Sequence, residues 1–310
     1  MRILVTGASG LVGGAFARLA AAGGHDLTGL VGRFTGDLPG VRDRRAVDLG
    51  DEAALSAVLR EVRPDAVLNA AAVSEPGQCD ADPVRSQVLN VDLPARLARA
   101  SVAHGFRLLH LSSEQAFAGD RAPYRTTDPT VPINLYARQK VASEEAVQMI
   151  APGLAATVRA PLLAGNSPGG RRSLHERLLA DWAAGKTPRL YVDEIRQVCH
   201  ADNLARVLLE LCMRRDLCGV FHWAGADALS RYDLGVRIRD HFGLDESRAP
   251  IIAVRRADDP KAAAVRQADL RLDLEPLRSH LTTRPETFAE QLPQMALPPA
   301  LAEWHRGARG

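Results

Sequence analysis

Apolar and polar positions along the chain alternate between two patterns. Short aliphatic and β-branched runs, Arg2 to Thr6, Asp26 to Val31, Ala66 to Leu68, Arg107 to Leu111 and Ala155 to Leu163, read as buried strands. Between them, apolar residues recur at helical spacing from Ala15 to Ala22, from Glu52 to Val62, through Val88 to Asp92 and on to His104, and from about Tyr136. Asp48-Leu49-Gly50-Asp51 closes a short third strand, with Asp51 placed to cap the next helix. Crossovers of this length allow parallel pairing, so the pattern predicts an α/β fold built on an open, doubly wound sheet of Rossmann type.

The pattern changes after the sixth strand. A loop from Ala164 to Gly170 leads to an amphipathic helix, Leu174 to Ala184, and a short strand, Arg189 to Val192. Asp202 to Met213 reads as a helix, Gly219 to Ala224 as a strand, and Ser230-Arg231-Tyr232-Asp233 opens a helix to His241. From Ile251 the chain is rich in Pro, Arg and Ala, and its weak periodicity assigns little.

Composition narrows the class. The chain has 310 residues, 46% hydrophobic and 25% charged, enough for one large core or two unequal ones. A net charge of +2, from 39 basic against 37 acidic residues, gives no field suited to nucleic acid or a membrane surface. Four cysteines, Cys79, Cys199, Cys212 and Cys218, form no Cys-x-x-Cys pair and signal neither zinc nor disulfides, as expected of a cytoplasmic protein. No signal-peptide pattern or membrane-length apolar run is seen, and no internal repeat.

Candidate chemistry clusters at the strands' carboxyl ends, where ligands of such sheets bind. Gly7-Ala8-Ser9-Gly10-Leu11-Val12-Gly13 joins the first strand to the first helix. Its small residues let backbone approach a pyrophosphate, whose charge meets unpaired N–H groups at the helix start. The expected cofactor edge comprises Gly7, Ser9, Gly10, Leu11, Val12, Gly13, Arg33, Asp48, Leu49, Asn69, Ala70, Ala71, Ala72, Ser112, Tyr136 and Lys140. The second strand ends Val31-Gly32-Arg33 with no acid before Asp37, and Arg33 can meet a 2′-phosphate, which favours NADP(H) over NAD(H). An exposed arginine beside a loop is the alternative reading.

Tyr136 and Lys140 fall about one turn apart on a helix face. A neighbouring cation favours phenolate, making tyrosine a better proton donor and acceptor near neutral pH. The pairing is common on surface helices and gains meaning only from its surroundings. Ser112, Ser113 and Glu114 end the fifth strand on the same edge, where a serine hydroxyl can hydrogen-bond a substrate carbonyl.

In this order, the glycine turn, Asn69-Ala70-Ala71-Ala72, Ser112-Ser113 and Tyr136-x-x-x-Lys140 resemble the extended short-chain dehydrogenase/reductase superfamily, and within it the dTDP-4-dehydrorhamnose reductase group of sugar-nucleotide enzymes. The resemblance covers nearly all of residues 1 to 245. It implies that Ser113 occupies the place of the catalytic Thr or Ser, that Tyr136 donates the proton, and that Lys140 binds the nicotinamide ribose and lowers the tyrosine's pKa. Asn90-Val91-Asp92, Arg159-Ala160-Pro161 and His200-Ala201-Asp202-Asn203-Leu204-Ala205 are similar to further family segments. The resemblance also implies a dinucleotide-binding domain, residues 1–165, to which 198–227 return, and a substrate lobe from 166–197 and 228–310.

Three departures stand out. Gln115 replaces the usual Tyr of Thr-Asp-Tyr-x-Phe-x-Gly, and Asp193-Glu194-Ile195-Arg196-Gln197-Val198-Cys199 replaces Asp-Gln-x-Gly-x-Pro-Thr. Beyond Ala249 the match is loose. The resemblance implies NADPH-dependent reduction of a keto-sugar nucleotide, with Ser113, Glu114, Gln115 and Arg196 on the substrate side and a small-molecule substrate as partner, a homodimer being compatible with it. Epimerases and dehydratases share the Ser/Tyr/Lys set, although dehydratases add an acid and base pair where only Glu114 is acidic here. The regulatory β subunit of methionine adenosyltransferase resembles the same group, so an NADP-binding regulatory subunit is the alternative. His110 beside Ser112 lacks a Gly-x-Ser-x-Gly elbow and reads as a packed, hydrogen-bonded histidine.

Overall fold

The computed structural model describes residues 1–307. A parallel sheet holds β1 (Arg2–Thr6), β2 (Asp26–Val31), β3 (Asp43–Ala46), β4 (Ala66–Asn69), β5 (Arg107–Ser113), β6 (Ala155–Ala160) and β7 (Gly219–His222). Their order is β7-β6-β5-β4-β1-β2-β3, every neighbouring pair parallel. The order reverses at β1, so the crevice at the switch point lies beside the glycine turn.

Both faces are covered, which is why the central strands are apolar without alternation. On one face α1 (Leu11–Ala22) packs on the later helix α6 (Ala201–Met213), through Phe16, Ala20, Leu204 and Leu208. On the other lie α2 (Glu52–Val62), α3 (Leu93–His104) and α4 (Leu135–Ile150), which contribute Leu55, Leu59, Leu97 and Val147. Asp51 caps α2 by accepting from the amides of Ala53 and Ala54.

Several limits differ from the sequence reading. The third strand stops at Ala46, and Asp48 to Asp51 form a turn closed by the Asp51 amide on the Asp48 carbonyl at 3.0 Å. Helix α1 begins at Leu11 rather than Ala15, because Gly13 and Gly14 lie inside its first turns. The sixth strand ends before Pro161, and Leu163–Ala164 pair instead with Cys199–His200. Between β4 and α3 run two helices unassigned from sequence, Pro76–Ala81 and Pro83–Gln87, and then Val88–Asp92, expected as part of the α3 helix, forms one π-helical turn.

A second core gathers α5 (Leu174–Ala183), α7 (Arg231–His241) and the tail, through Leu178, Trp182, Leu190, Leu234, Ile238 and Phe288. Ser173 and Glu176 start α5 with a reciprocal capping box. Strand Ile252–Val254 pairs with Arg189–Tyr191, after which the tail crosses back to the sheet, bridging Asp269 to Ile195 and Leu272 to Tyr124.

Candidate active site

The glycine turn is shaped by close backbone approach. Gly7 has φ 67°, and a Cβ there would sit 2.8 Å from the Ala71 amide nitrogen, so the turn lies directly on the Asn69-Ala70-Ala71-Ala72 segment. A Cβ on Gly13 would lie 2.3 Å from the Gly7 carbonyl oxygen, so only glycine lets α1 start this close to β1. Gly10 caps the helix without a side-chain hydrogen bond. The first-turn amides of Leu11 and Val12 therefore face the switch-point crevice with no competing side chain, an arrangement suited to a phosphate.

Asn69 is buried, and its Oδ1 accepts from Thr6 at 2.7 Å. Ser9, Ala70, Ala71 and Ala72 are half-buried along the crevice. Leu49 is part of the core, whereas Asp48 is exposed and accepts from Arg85 at 3.2 Å. Arg33 is exposed at the end of β2, with no hydrogen bond or ion pair among the described residues.

Helix α4 carries the candidate residues Tyr136 and Lys140. Asn134 caps it, accepting from the Ala137 amide at 2.8 Å, which starts the helix one residue before Tyr136. Tyr136 and Lys140 are both buried, at 8% and 3% exposure, facing the end of β5. Burial pushes the Tyr136 phenol up to about 12, and hydrogen bonding from Ser113 works against it. Burial likewise pulls Lys140 down to about 8, with Glu144 opposing the shift. The expected lowering of the tyrosine by the lysine is thus not what this arrangement gives, because desolvating the phenolate outweighs the other influences. Near neutral pH the pair is a protonated phenol beside an ammonium. The Lys140 Nζ has no hydrogen-bond partner among the described residues, so its donors are free for a ligand.

The Ser112 hydroxyl donates to Glu144 in a short hydrogen bond. Glu144 in turn takes Arg159, whose Nη2 lies 2.7 Å away, both side chains 5% exposed. Arg159 also approaches His222 Nε2 at 3.3 Å, so this pair ties α4 to β6 and β7. Asn90, in the π-helical turn, holds the segment beyond the Ala-rich turn, accepting from the Val73 amide at 2.9 Å and donating to its carbonyl at 3.0 Å. It also donates to Gln139 on α4 at 2.9 Å.

The substrate-side candidates gather just beyond β5, where the short strand Ile195–Arg196 meets them. Glu114 follows Ser113 and is 4% exposed; its Oε1 accepts from the Leu162 amide, while Oε2 has no partner. Burial pushes this carboxyl up to about 7 against the pull of Arg196, whose Nε lies 3.4 Å away. Arg196 donates to the carbonyls of Gln267 at 2.9 Å and Ala268 at 3.1 Å. Gln115 is likewise engaged, accepting from Asn134 at 3.1 Å. Sequence reasoning left out the ion pair of buried Glu194 with half-exposed Arg266, which fastens the tail beside Arg196. Their charge complementarity was written in the chain, but a separation of 72 residues hid it.

No group of three or more His, Cys, Asp or Glu side chains among the described residues could hold a metal ion. No helix among them is long and apolar enough to cross a membrane.

Comparison with known proteins bears on the fold and the family. The chain is similar to the β subunit of methionine adenosyltransferase 2 from Pongo abelii, 29% identical over 288 residues, covering 90% of this chain and 82% of that protein. It is also similar to the dTDP-4-dehydrorhamnose reductase of Mycolicibacterium smegmatis, 31% identical over 250 residues, covering 80% of this chain and 71% of the relative. The fold matches a Bacillus anthracis dTDP-4-dehydrorhamnose reductase solved in complex with NADP, with a TM-score of 0.81 at 19% identity over 95% of this chain and 98% of that one. The RmlD substrate binding domain pattern matches residues 1–298, and the chain belongs to that family.

Proposed function

We propose that the protein is an NADPH-dependent reductase of a keto-sugar nucleotide, similar in its chemistry to dTDP-4-dehydrorhamnose reductase. The observation that carries this reading is the convergence of Ser113, Tyr136 and an unpartnered Lys140 at the strand edge that the glycine turn opens onto. The residues fit a dinucleotide: the amides of Leu11 and Val12 hold its pyrophosphate, Ala70 to Ala72 line its path, and Lys140 donates to its nicotinamide ribose. When bound, the cofactor supplies the hydride.

The chain's own residues do the rest. Ser113 donates to the substrate carbonyl oxygen and orients it. Tyr136 transfers its phenolic proton to that oxygen as negative charge develops, and the Lys140 ammonium stabilises the phenolate left behind. Burial serves this step by excluding water and strengthening each electrostatic contact. The phenol, held up at about 12, keeps its proton until an alkoxide forms. Glu114 Oε2, buried and without a partner, accepts from a sugar hydroxyl, and Arg33 favours the 2′-phosphate of NADPH.

The similarity to methionine adenosyltransferase β subunits supports a second reading, an NADP-binding regulatory subunit. One screen separates the two. A panel of keto-sugar nucleotides with NADPH should show cofactor consumption with at least one member. Binding of NADPH, seen by its fluorescence, without consumption by any member favours the regulatory role.

A further inference from the structure

Between the cofactor turn and the catalytic helix runs a chain of five hydrogen bonds whose donors all point the same way. The Ala71 amide donates to Thr6 Oγ1 at 3.2 Å, and the Thr6 hydroxyl donates to Asn69 Oδ1 at 2.7 Å. Asn69 Nδ2 lies 3.2 Å from His110 Nδ1, and His110 Nε2 lies 2.9 Å from Ser143 Oγ. Ser143 then donates to the Lys140 carbonyl at 2.7 Å. The side chains of Thr6, Asn69, His110 and Ser143 are all at most 1% exposed, so water does not substitute for any link.

The direction is fixed by chemistry. An amide nitrogen can only donate, so His110 Nδ1 accepts and its proton sits on Nε2. Running the chain backwards would require the Ser143 hydroxyl to donate to His110 and give up the Lys140 carbonyl, which it meets at 2.7 Å. Burial, with the nearby Lys140 charge, drives the imidazole well below its ordinary value, which keeps it neutral as both links require. Aligned hydrogen bonds in a dry interior polarise one another, so the whole is stronger than its separate links.

We infer that His110 and Ser143 are positioning residues: the relay from Ala71 to Lys140 fixes the cofactor turn and the catalytic lysine relative to each other, so that both meet one dinucleotide. The inference rests on the proposed dinucleotide reading. Neither His110 nor Ser143 is placed among the groups that touch ligand, so each acts through its neighbours.

The test uses the full chain and NADPH affinity measured by fluorescence. Ser143→Ala removes the last two links, and Thr6→Val removes the first two while keeping the side chain's shape. Each should weaken NADPH binding by about 5–10-fold, and the double variant should be no weaker than about twofold beyond the worse single one, because a broken relay is not broken twice. Ser143→Ala binding NADPH within about twofold of the unmodified protein, or a double variant showing the product of the two single losses, would overturn the inference. Should either variant lose its native melting transition, nitrogen NMR of His110 in the unmodified protein decides. The relay requires the Nε2–H form with resonances that shift on NADPH addition, and the Nδ1–H form or unmoved resonances contradict it. The tautomer is read without cofactor, so an unmodified protein that binds no NADPH sinks the dinucleotide reading separately.

Discussion

The two walls of the cleft are built in opposite ways. On the cofactor wall, polar groups are left open: the first-turn amides of α1 have no side-chain cap, and the Lys140 ammonium has no protein partner among the described residues. On the substrate wall, polar side chains are largely consumed. Arg196 is spent on Glu114 and two tail carbonyls, Gln115 on Asn134, and Glu194 on Arg266. The difference separates a surface whose donors stay open, as the proposed dinucleotide requires, from one whose shape depends on where the tail is held. A cofactor site can be made by one short segment of backbone, whereas the substrate wall needs partners from distant parts of the chain.

That contrast makes testable demands. The largest effect should come from Arg159→Met, which strands the buried Glu144 carboxylate behind the cofactor wall and should cost about 3–5 kcal/mol in urea unfolding. A loss below about 1 kcal/mol would mean Glu144 finds another partner or takes up a proton. Arg196→Ala comes next. It releases the carbonyls of Gln267 and Ala268, so amide exchange at residues 265–270 should speed up and substrate KM should rise about tenfold, near 1.4 kcal/mol, with NADPH affinity unchanged. Equal losses for substrate and cofactor would show that the two walls are not separable.

Lys140→Met tests the open wall through pH. In the folded protein Lys140 is pulled down to about 8 from its ordinary 10.5, so below pH 8 folding buries a charge at a cost. Between those values the unfolded chain binds more protons, and stability from this group rises with pH. The variant should therefore gain on the order of 3 °C in melting temperature at pH 7, a gain that fades toward pH 10, while its NADPH affinity falls. An equal gain at both pH values would remove the buried-charge account. Smallest is Arg33→Ala, expected to weaken NADPH by about 3–5-fold and leave NADH unchanged, as befits an exposed contact. Equal losses would remove the argument for phosphate recognition.

How much could be read in the sequence follows the same division. The glycine turn, the Ala-rich turn, the serine at the end of β5 and the Tyr-x-x-x-Lys helix are each local, and their strand and helix contexts repeat the periods of the elements that carry them. The doubly wound sheet was legible for that reason. The tail was not, because its order comes from pairs such as Gln267 with Gln115, 152 residues apart, and Val265 with Asn134, 131 apart. The helices at Pro76–Ala81 and Pro83–Gln87 were too short to show a period. The reading of His110 as packed and hydrogen-bonded agrees with its contacts, but nothing local announced that Ser143, three residues past Lys140, would be its partner. The partner of Ser112 was hidden for a related reason: its hydroxyl donates to Glu144, the buried acid one turn past Lys140.

The central claim is that Tyr136 supplies the proton on a wall already arranged for NADPH. It is tested most directly by following NADPH absorbance with an accepted keto-sugar nucleotide, comparing the unmodified protein with Tyr136→Phe. The account predicts that turnover falls by about 10²–10⁴-fold while NADPH affinity stays within a few-fold. A variant that keeps most of its turnover would contradict it.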